Sequence, residues 1–159
     1  MRFFNKLEGN GDCNFESNGE ENFLNDVLGV FKNKQFCVFD VGANVGNYSE
    51  LILKKSKDHP LSIHAFEPTS ECFKELRAKF KNRENVYLNN FGLSSSDQEA
   101  TIYYDKEKSG LSSLYQRDLK SYGITMNQTE SVSLKRLDGY LQDNKISKIN
   151  LLKIDVEGH

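Results

Sequence analysis

The sequence predicts an α/β domain: a mostly parallel sheet with helices on both faces. Three observations carry that expectation. Apolar runs ending in acids recur at Val38-Phe39-Asp40, Ala65-Phe66-Glu67 and Leu151-Leu152-Lys153-Ile154-Asp155. Helical apolar spacing follows the first two runs. Strands that alternate with helices and end in polar turns imply parallel strands joined by crossovers.

Residues 1–18 are rich in Asn, Gly and Glu and read as a loose lead-in to a single domain over 19–159. Ser17 or Asn18 is placed to cap a helix from about Glu20 to Phe31, with Phe23, Leu24, Val27, Leu28 and Phe31 on one face. Gln35 to Asp40 is the first strand. Asn47 to about Lys55 is a helix with Tyr48, Leu51, Ile52 and Lys55 at helical spacing. Asp58-His59-Pro60 is a turn.

Leu61 to Glu67 is the second strand, and Pro68 and Thr69 open a helix to about Lys81 that buries Phe73, Leu76 and Phe80. Its outer face carries the pairs Glu71–Lys74 and Glu75–Lys79. Val86 to Asn90 is the third strand, and Ala100 to Tyr104 alternates as a partly exposed one. Residues 105–127 form a long loop with a short helix near Leu114–Leu119. Ser131 to Leu134 is a short strand, Leu137 to Asp143 a helical turn, and Lys148 to Asp155 the last strand.

Composition excludes several function classes. The net charge is −2, and Lys and Arg are scattered, which gives no reason to expect nucleic acid as a partner. No apolar run approaches the roughly 20 residues needed to cross a bilayer, and Met1 to Lys6 lack the apolar core of a secretory leader. Cys13, Cys37 and Cys72 are far apart and form no paired motif, so reduced thiols in the cytoplasm are expected and no metal site is assigned.

The densest chemistry lies in Asp40-Val41-Gly42-Ala43-Asn44-Val45-Gly46, a strand–turn–helix of the kind that approaches a nucleotide-type cofactor. Asn44 stands where a dinucleotide fingerprint has its middle glycine, and Asp40 precedes the first glycine by two residues. Asp40 suits an ammonium group, directly or through water, and suits a diphosphate poorly. Glu67 ends the second strand, where a carboxylate can accept both hydrogen bonds of a ribose diol, and Pro68 aims it. Asp155 and Glu157 follow the last strand, where an acid can orient or deprotonate a hydroxyl. A structural Asp155 bonded to the first loop, and a Mg²⁺ ligand, are the alternatives there. Asp138 reads as a helix cap and His64 as a hydrogen-bonded, half-buried strand residue.

Together the segments F-D-V-G-A-N-V-G-N-Y, F-E-P, N-N-F-G-L-S, S-S-L at 112–114, L-K-R-L-D at 134–138 and L-L-K-I-D-V-E-G-H resemble the FkbM-type methyltransferases, which use S-adenosylmethionine (SAM) and have a Rossmann-like fold. The resemblance runs from about Glu20 to His159. It implies SAM as cofactor, held by Asp40, Gly42, Ala43, Asn44, Gly46, Glu67 and Pro68, with Gly92 and Leu93 against adenine. It implies Asp155 and Glu157 as catalytic acids and O-methylation of a hydroxyl on a sugar or small metabolite. The family continues past the last motif, so the expectation is a sheet lacking its C-terminal strands and able to self-associate through Lys148–Asp155. A non-catalytic SAM-binding module and a NAD(P)-binding Rossmann enzyme are the rival readings. Four acids near one end of the sheet favour the sulfonium and ammonium of SAM over the phosphates of NAD.

Overall fold

The structure is a computed structural model that describes residues 19–31, 34–56, 59–104, 114 and 126–156. The lead-in with Ser17 and Asn18, Cys13, most of the 105–127 loop, Asp58 of the first turn, and Glu157 and His159 lie outside the described residues.

The elements run α1 (Glu20–Val30), β1 (Phe36–Val41), α2 (Asn47–Lys55), β2 (Leu61–Phe66), α3 (Ser70–Phe80), β3 (Val86–Asn89), β4 (Gly92–Ser94), β5 (Gln98–Tyr104), β6 (Gln128–Arg136), α4 (Leu137–Asp143) and β7 (Leu151–Ile154). The main sheet has the order β3-β2-β1-β7, with every pairing parallel. All six residues of β1 are buried, as a central strand covered on both faces requires.

Period-2 alternation along β1 sorts its side chains between two cores. Phe36 and Val38 join Leu24 and Leu28 of α1, Tyr48 and Ile52 of α2, and Leu76 and Phe80 of α3. Cys37, Phe39 and Val41 join Phe66 and the α4 residues Leu137, Tyr140 and Leu141 on the other face. Helices therefore cover both faces, as the sequence predicts. Cys37 and Cys72 are buried free thiols.

Three details depart from the sequence reading. Phe23 is 52% exposed, because the stripe of α1 against the sheet centres on Leu24 and Leu28, and Phe23 lies about 100° round the helix from Leu24. Lys79 reaches across to Glu50 (3.2 Å) and Asn47 (2.9 Å) on α2 rather than forming the expected outer pair, whereas Glu71–Lys74 forms at 3.9 Å. Asp138 sits inside the first turn of α4, where it accepts from Gly139 N–H and pairs with Arg136.

The larger departure is a second sheet of order β4-β6-β5, with β4–β6 parallel and β5–β6 antiparallel. Ile102, Val132 and Leu134 form its core. Backbone pairing between Gln98–Tyr104 and Gln128–Leu134 extends both strands past the alternating apolar residues that mark them in the sequence. Gly92–Ser94, expected by resemblance as a loop against adenine, is drawn into a strand by pairing with Leu134–Arg136.

His64 is buried, stacks on Tyr87 at 4.6 Å and shares a 2.8 Å hydrogen bond between Nδ1 and the Tyr140 hydroxyl. Burial pushes its imidazole down from 6.5 to about 4, so the unfolded chain binds more protons between those pH values. Stability is full above about 6.5 and falls as the pH drops toward 4. His64→Phe keeps the ring stack and is expected to flatten that part of the profile. Urea midpoints measured across the range check this, and an unchanged slope would assign the loss to another group.

Candidate active site

The carboxyl ends of the neighbouring strands β1, β2 and β7 bring the sequence-predicted acids into one region. The loop after β1 turns its amides inward. Gly42 N–H and Ala43 N–H both donate to Phe66 O at 3.0 Å, and Asn44 N–H donates to Glu67 Oε2 at 2.8 Å. Val45 N–H is taken by Asn44 Oδ1 and Gly46 N–H by Ala43 O, each at 2.8 Å. Asn44 has φ 51° and its own side chain stabilises the turn, as Asn does in left-handed positions.

Both glycines of the loop have positive φ, 74° at Gly42 and 82° at Gly46. A Cβ on Gly42 would fall 1.9 Å from the Asp155 carbonyl oxygen, so this position admits close approach of β7's end. A Cβ on Gly46 would meet Phe80 at 2.5 Å and Leu76 at 2.6 Å, so Gly46 seats α3 against the start of α2. Ala43 is buried in the main core.

Glu67 is 6% exposed, and both of its carboxylate oxygens are engaged by the protein. Oε2 holds the Asn44 amide, and Oε1 accepts from Thr69 N–H at 2.9 Å and Thr69 Oγ1 at 2.5 Å. Burial raises its pKa, opposed by the hydrogen bonds from Thr69 and Asn44 and by the charge of Lys153. A carboxylate carries about four lone-pair sites, so capacity for one further donor remains.

Asp40 is wholly buried. Ser49 of α2 donates to Oδ2 at 2.7 Å, and Lys153 Nζ lies 3.2 Å from Oδ1. That ammonium is off the line of a well-formed hydrogen bond, which leaves Oδ1 without a hydrogen-bond partner. Lys153 also donates to Gly42 O at 3.0 Å and lies 3.7 Å from Asp155, whose side chain is 66% exposed. Burial and the charges of Glu20 and Asp40 push the nearby Tyr48 hydroxyl up to about 12.

The other residues singled out fall as follows. Gly92 is buried, with Leu134 2.7 Å and Pro68 3.6 Å from where a Cβ would stand. Leu93 packs into the core beside Phe66 and α4. Asn90 Nδ2 ties this segment to Glu67 O and Pro68 O, at 3.0 and 3.1 Å. Asp97 accepts from Arg136 N–H and supports the second sheet. Glu157 lies outside the described residues. Among the described residues no group of three or more His, Cys, Asp and Glu is placed to hold a metal ion, and no helix is long and apolar enough to cross a membrane.

Sequence reasoning passed over Lys153, Ser49 and Thr69. Lys153 did leave a signal: a lone cation inside an apolar run, on a strand expected beside the one ending in Asp40. The register Asp40↔Lys153 places the two side by side on one face of the sheet. Ser49 and Thr69 left none, because each matters only through the acid its side chain meets, 9 and 2 residues away, and the sequence does not say which way that acid turns.

The ensemble can hold a cation better than an anion. Asp40, Glu67 and Asp155 face one cation, Lys153, and the five loop amides that would cradle a diphosphate are already donated within the protein. These residues fit the charge and polarity of SAM. Lys153 covers Asp40, so a ligand ammonium would reach that acid only through or beside it, whereas Asp155 is directly accessible.

Residues 40–159 match the family described as Methyltransferase FkbM domain. A curated protein named Methyltransferase 1, from Beauveria bassiana (strain ARSEF 2860), is 27% identical over 143 residues. That alignment covers 80% of this chain and 56% of the relative, so the chain spans little more than half of the relative's length. No solved structure matches the chain.

Proposed function

The chain belongs to the FkbM family of methyltransferases, and we propose that it moves a methyl group from SAM to a hydroxyl of a sugar or other small metabolite. The observation that carries this reading is the net acidic set at the ends of β1, β2 and β7, beside a glycine loop whose amides are turned inward. SAM, when bound, supplies an electrophilic methyl on a sulfonium. The chain's own residues supply position and charge. Glu67, stiffened by Thr69 and Asn44, is oriented to accept from a ribose hydroxyl, and Lys153 holds the first loop against β7. In this reading Asp155, whose side chain is 66% exposed at the end of β7, orients an acceptor hydroxyl and takes its proton late in transfer. Pro68, Gly92 and Leu93 support the adenine side by shape.

The same inward amides weigh against a NAD(P) enzyme. The two buried free thiols agree with a reducing, cytoplasmic setting. β7 is the outermost strand of the described sheet, and its outer backbone edge favours pairing with a further strand, of this chain or another.

Calorimetric titration with SAM and its demethylated product, set beside turnover on a pool of glycans and hydroxylated metabolites, tests the proposal. Binding without turnover on any acceptor would support the non-catalytic rival, and absence of binding would remove both. Glu67→Ala is expected to weaken SAM binding by about 1.5–3 kcal/mol, the cost of losing a charged acceptor, and Glu67→Gln by less. Unchanged affinity in both would end the ribose assignment. Asp155→Asn should leave circular dichroism and SAM affinity near normal and lower turnover by about 100-fold. Near-normal turnover would show that the proton goes elsewhere.

A further inference from the structure

We propose that Lys153 takes the α-carboxylate at the amino-acid end of SAM, an inference that rests on SAM as the cofactor. That end of SAM is a zwitterion, with an ammonium and a carboxylate attached to one carbon. Acids answer the ammonium, but the carboxylate needs a cation or free amides. The amides of Gly42 to Gly46 are all donated within the protein. The partner left for the carboxylate is a side-chain cation.

Lys153 meets that need by its placement. The register Asp40↔Lys153 sets it beside the acid near the end of β1. Its Nζ is fixed by the Gly42 carbonyl at 3.0 Å, by Asp40 Oδ1 at 3.2 Å and by the Tyr48 ring, whose centroid is 5.9 Å away. An ammonium has three donors. Among the described residues one of them is hydrogen-bonded, to Gly42 O. Asp40 Oδ1 accepts no hydrogen bond, and Asp155 Oδ2, at 3.7 Å, is beyond hydrogen-bond reach. The Lys153 side chain is 22% exposed and that of Asp40 is wholly buried, so the accessible member of the pair is the cation.

Charge decides which ligands fit. A bare anion at Nζ would also face Asp40 and Asp155, and their repulsion disfavours it. A zwitterion brings its own ammonium among those acids, so both of its charges are answered at once. One cation set among acids therefore recognises an α-amino-acid group in preference to a phosphate or a simple carboxylate.

Calorimetry on the full chain with S-adenosylhomocysteine, its decarboxylated form and 5′-methylthioadenosine, which lacks the whole amino-acid end, is the test. Loss of the carboxylate should weaken binding to wild type about tenfold or more. Net acidity alone would give the opposite sign, because the decarboxylated compound is the more cationic ligand. In Lys153→Met the same loss should change affinity by less than about threefold, whereas Lys153→Arg should keep the discrimination. Lys153→Met strands the Asp40 charge, so Asp40→Asn combined with Lys153→Met supplies a second background with the same expectation. Wild type that binds the decarboxylated compound as tightly as S-adenosylhomocysteine, or Lys153→Met variants that discriminate as wild type does, would overturn the assignment and leave SAM as the cofactor. Wild type that binds none of the three compounds would remove the cofactor reading, and this inference with it.

Discussion

Gly42→Ala is expected to be the most damaging single substitution in the described fold, costing about 2–5 kcal/mol. Strain from a non-glycine residue at φ 74° and steric overlap contribute comparable amounts. The added Cβ would stand 1.9 Å from the Asp155 carbonyl oxygen and 2.9 Å from its carbon, both backbone atoms that cannot rotate away. Either the loop leaves Phe66 O, to which Gly42 and Ala43 donate, or β7 parts from β1 at the Val41–Ile154 step. The second outcome displaces Asp155, so under the proposed function methyl transfer should fall with stability. Gly46→Ala should cost less despite its φ of 82°, since its neighbours are the side chains of Phe80 and Leu76. Gly139→Ala, where a Cβ meets nothing within 4 Å, is the control and should be neutral or slightly stabilising. Urea denaturation of the three variants decides, and a Gly42→Ala midpoint equal to wild type would refute the close-approach argument.

Lys153→Met is expected to destabilise by about 3 kcal/mol, because it strands a buried charge. Asp40 is fully buried, and without Lys153 it keeps, among the described residues, the Ser49 hydroxyl, while Gly42 O loses the Lys153 donor. Removing one member of such a pair costs far more than removing both. Asp40→Asn added to Lys153→Met should therefore recover stability, with a coupling energy of about 1–3 kcal/mol in a double-mutant cycle. Coupling below about 0.5 kcal/mol would mean that Lys153 acts through the Gly42 carbonyl alone.

Much of the candidate site was legible because its signals are local. Asp40, Glu67 and Asp155 each close an apolar run, the two loop glycines follow the first, and alternation with helical spacing makes those runs parallel strands. The residues that hold the acids were not legible. Thr69 and the Asn44 amide consume most of Glu67's capacity, and Lys153 screens Asp40 from the crevice. Each of these contacts depends on two elements meeting, and their members lie 2, 23 and 113 residues apart in the chain. Even at the shortest spacing, the sequence leaves open which way the carboxylate turns.

By itself the sequence determined the α/β class, the order of β1, α2, β2, α3 and β3, and the clustering of acids at one end of a parallel sheet. Those follow from periodicity, glycine placement and strand ends, which are properties of neighbouring residues. Tertiary structure alone decided the second sheet, the exposure of Phe23, the turn of Lys79 toward Glu50 and the pairing of Lys153 with Asp40. Strand pairing and burial are settled by partners distant in the chain. One register, Asp40↔Lys153, turned a lone cation in an apolar run into the counter-ion of a fully buried acid.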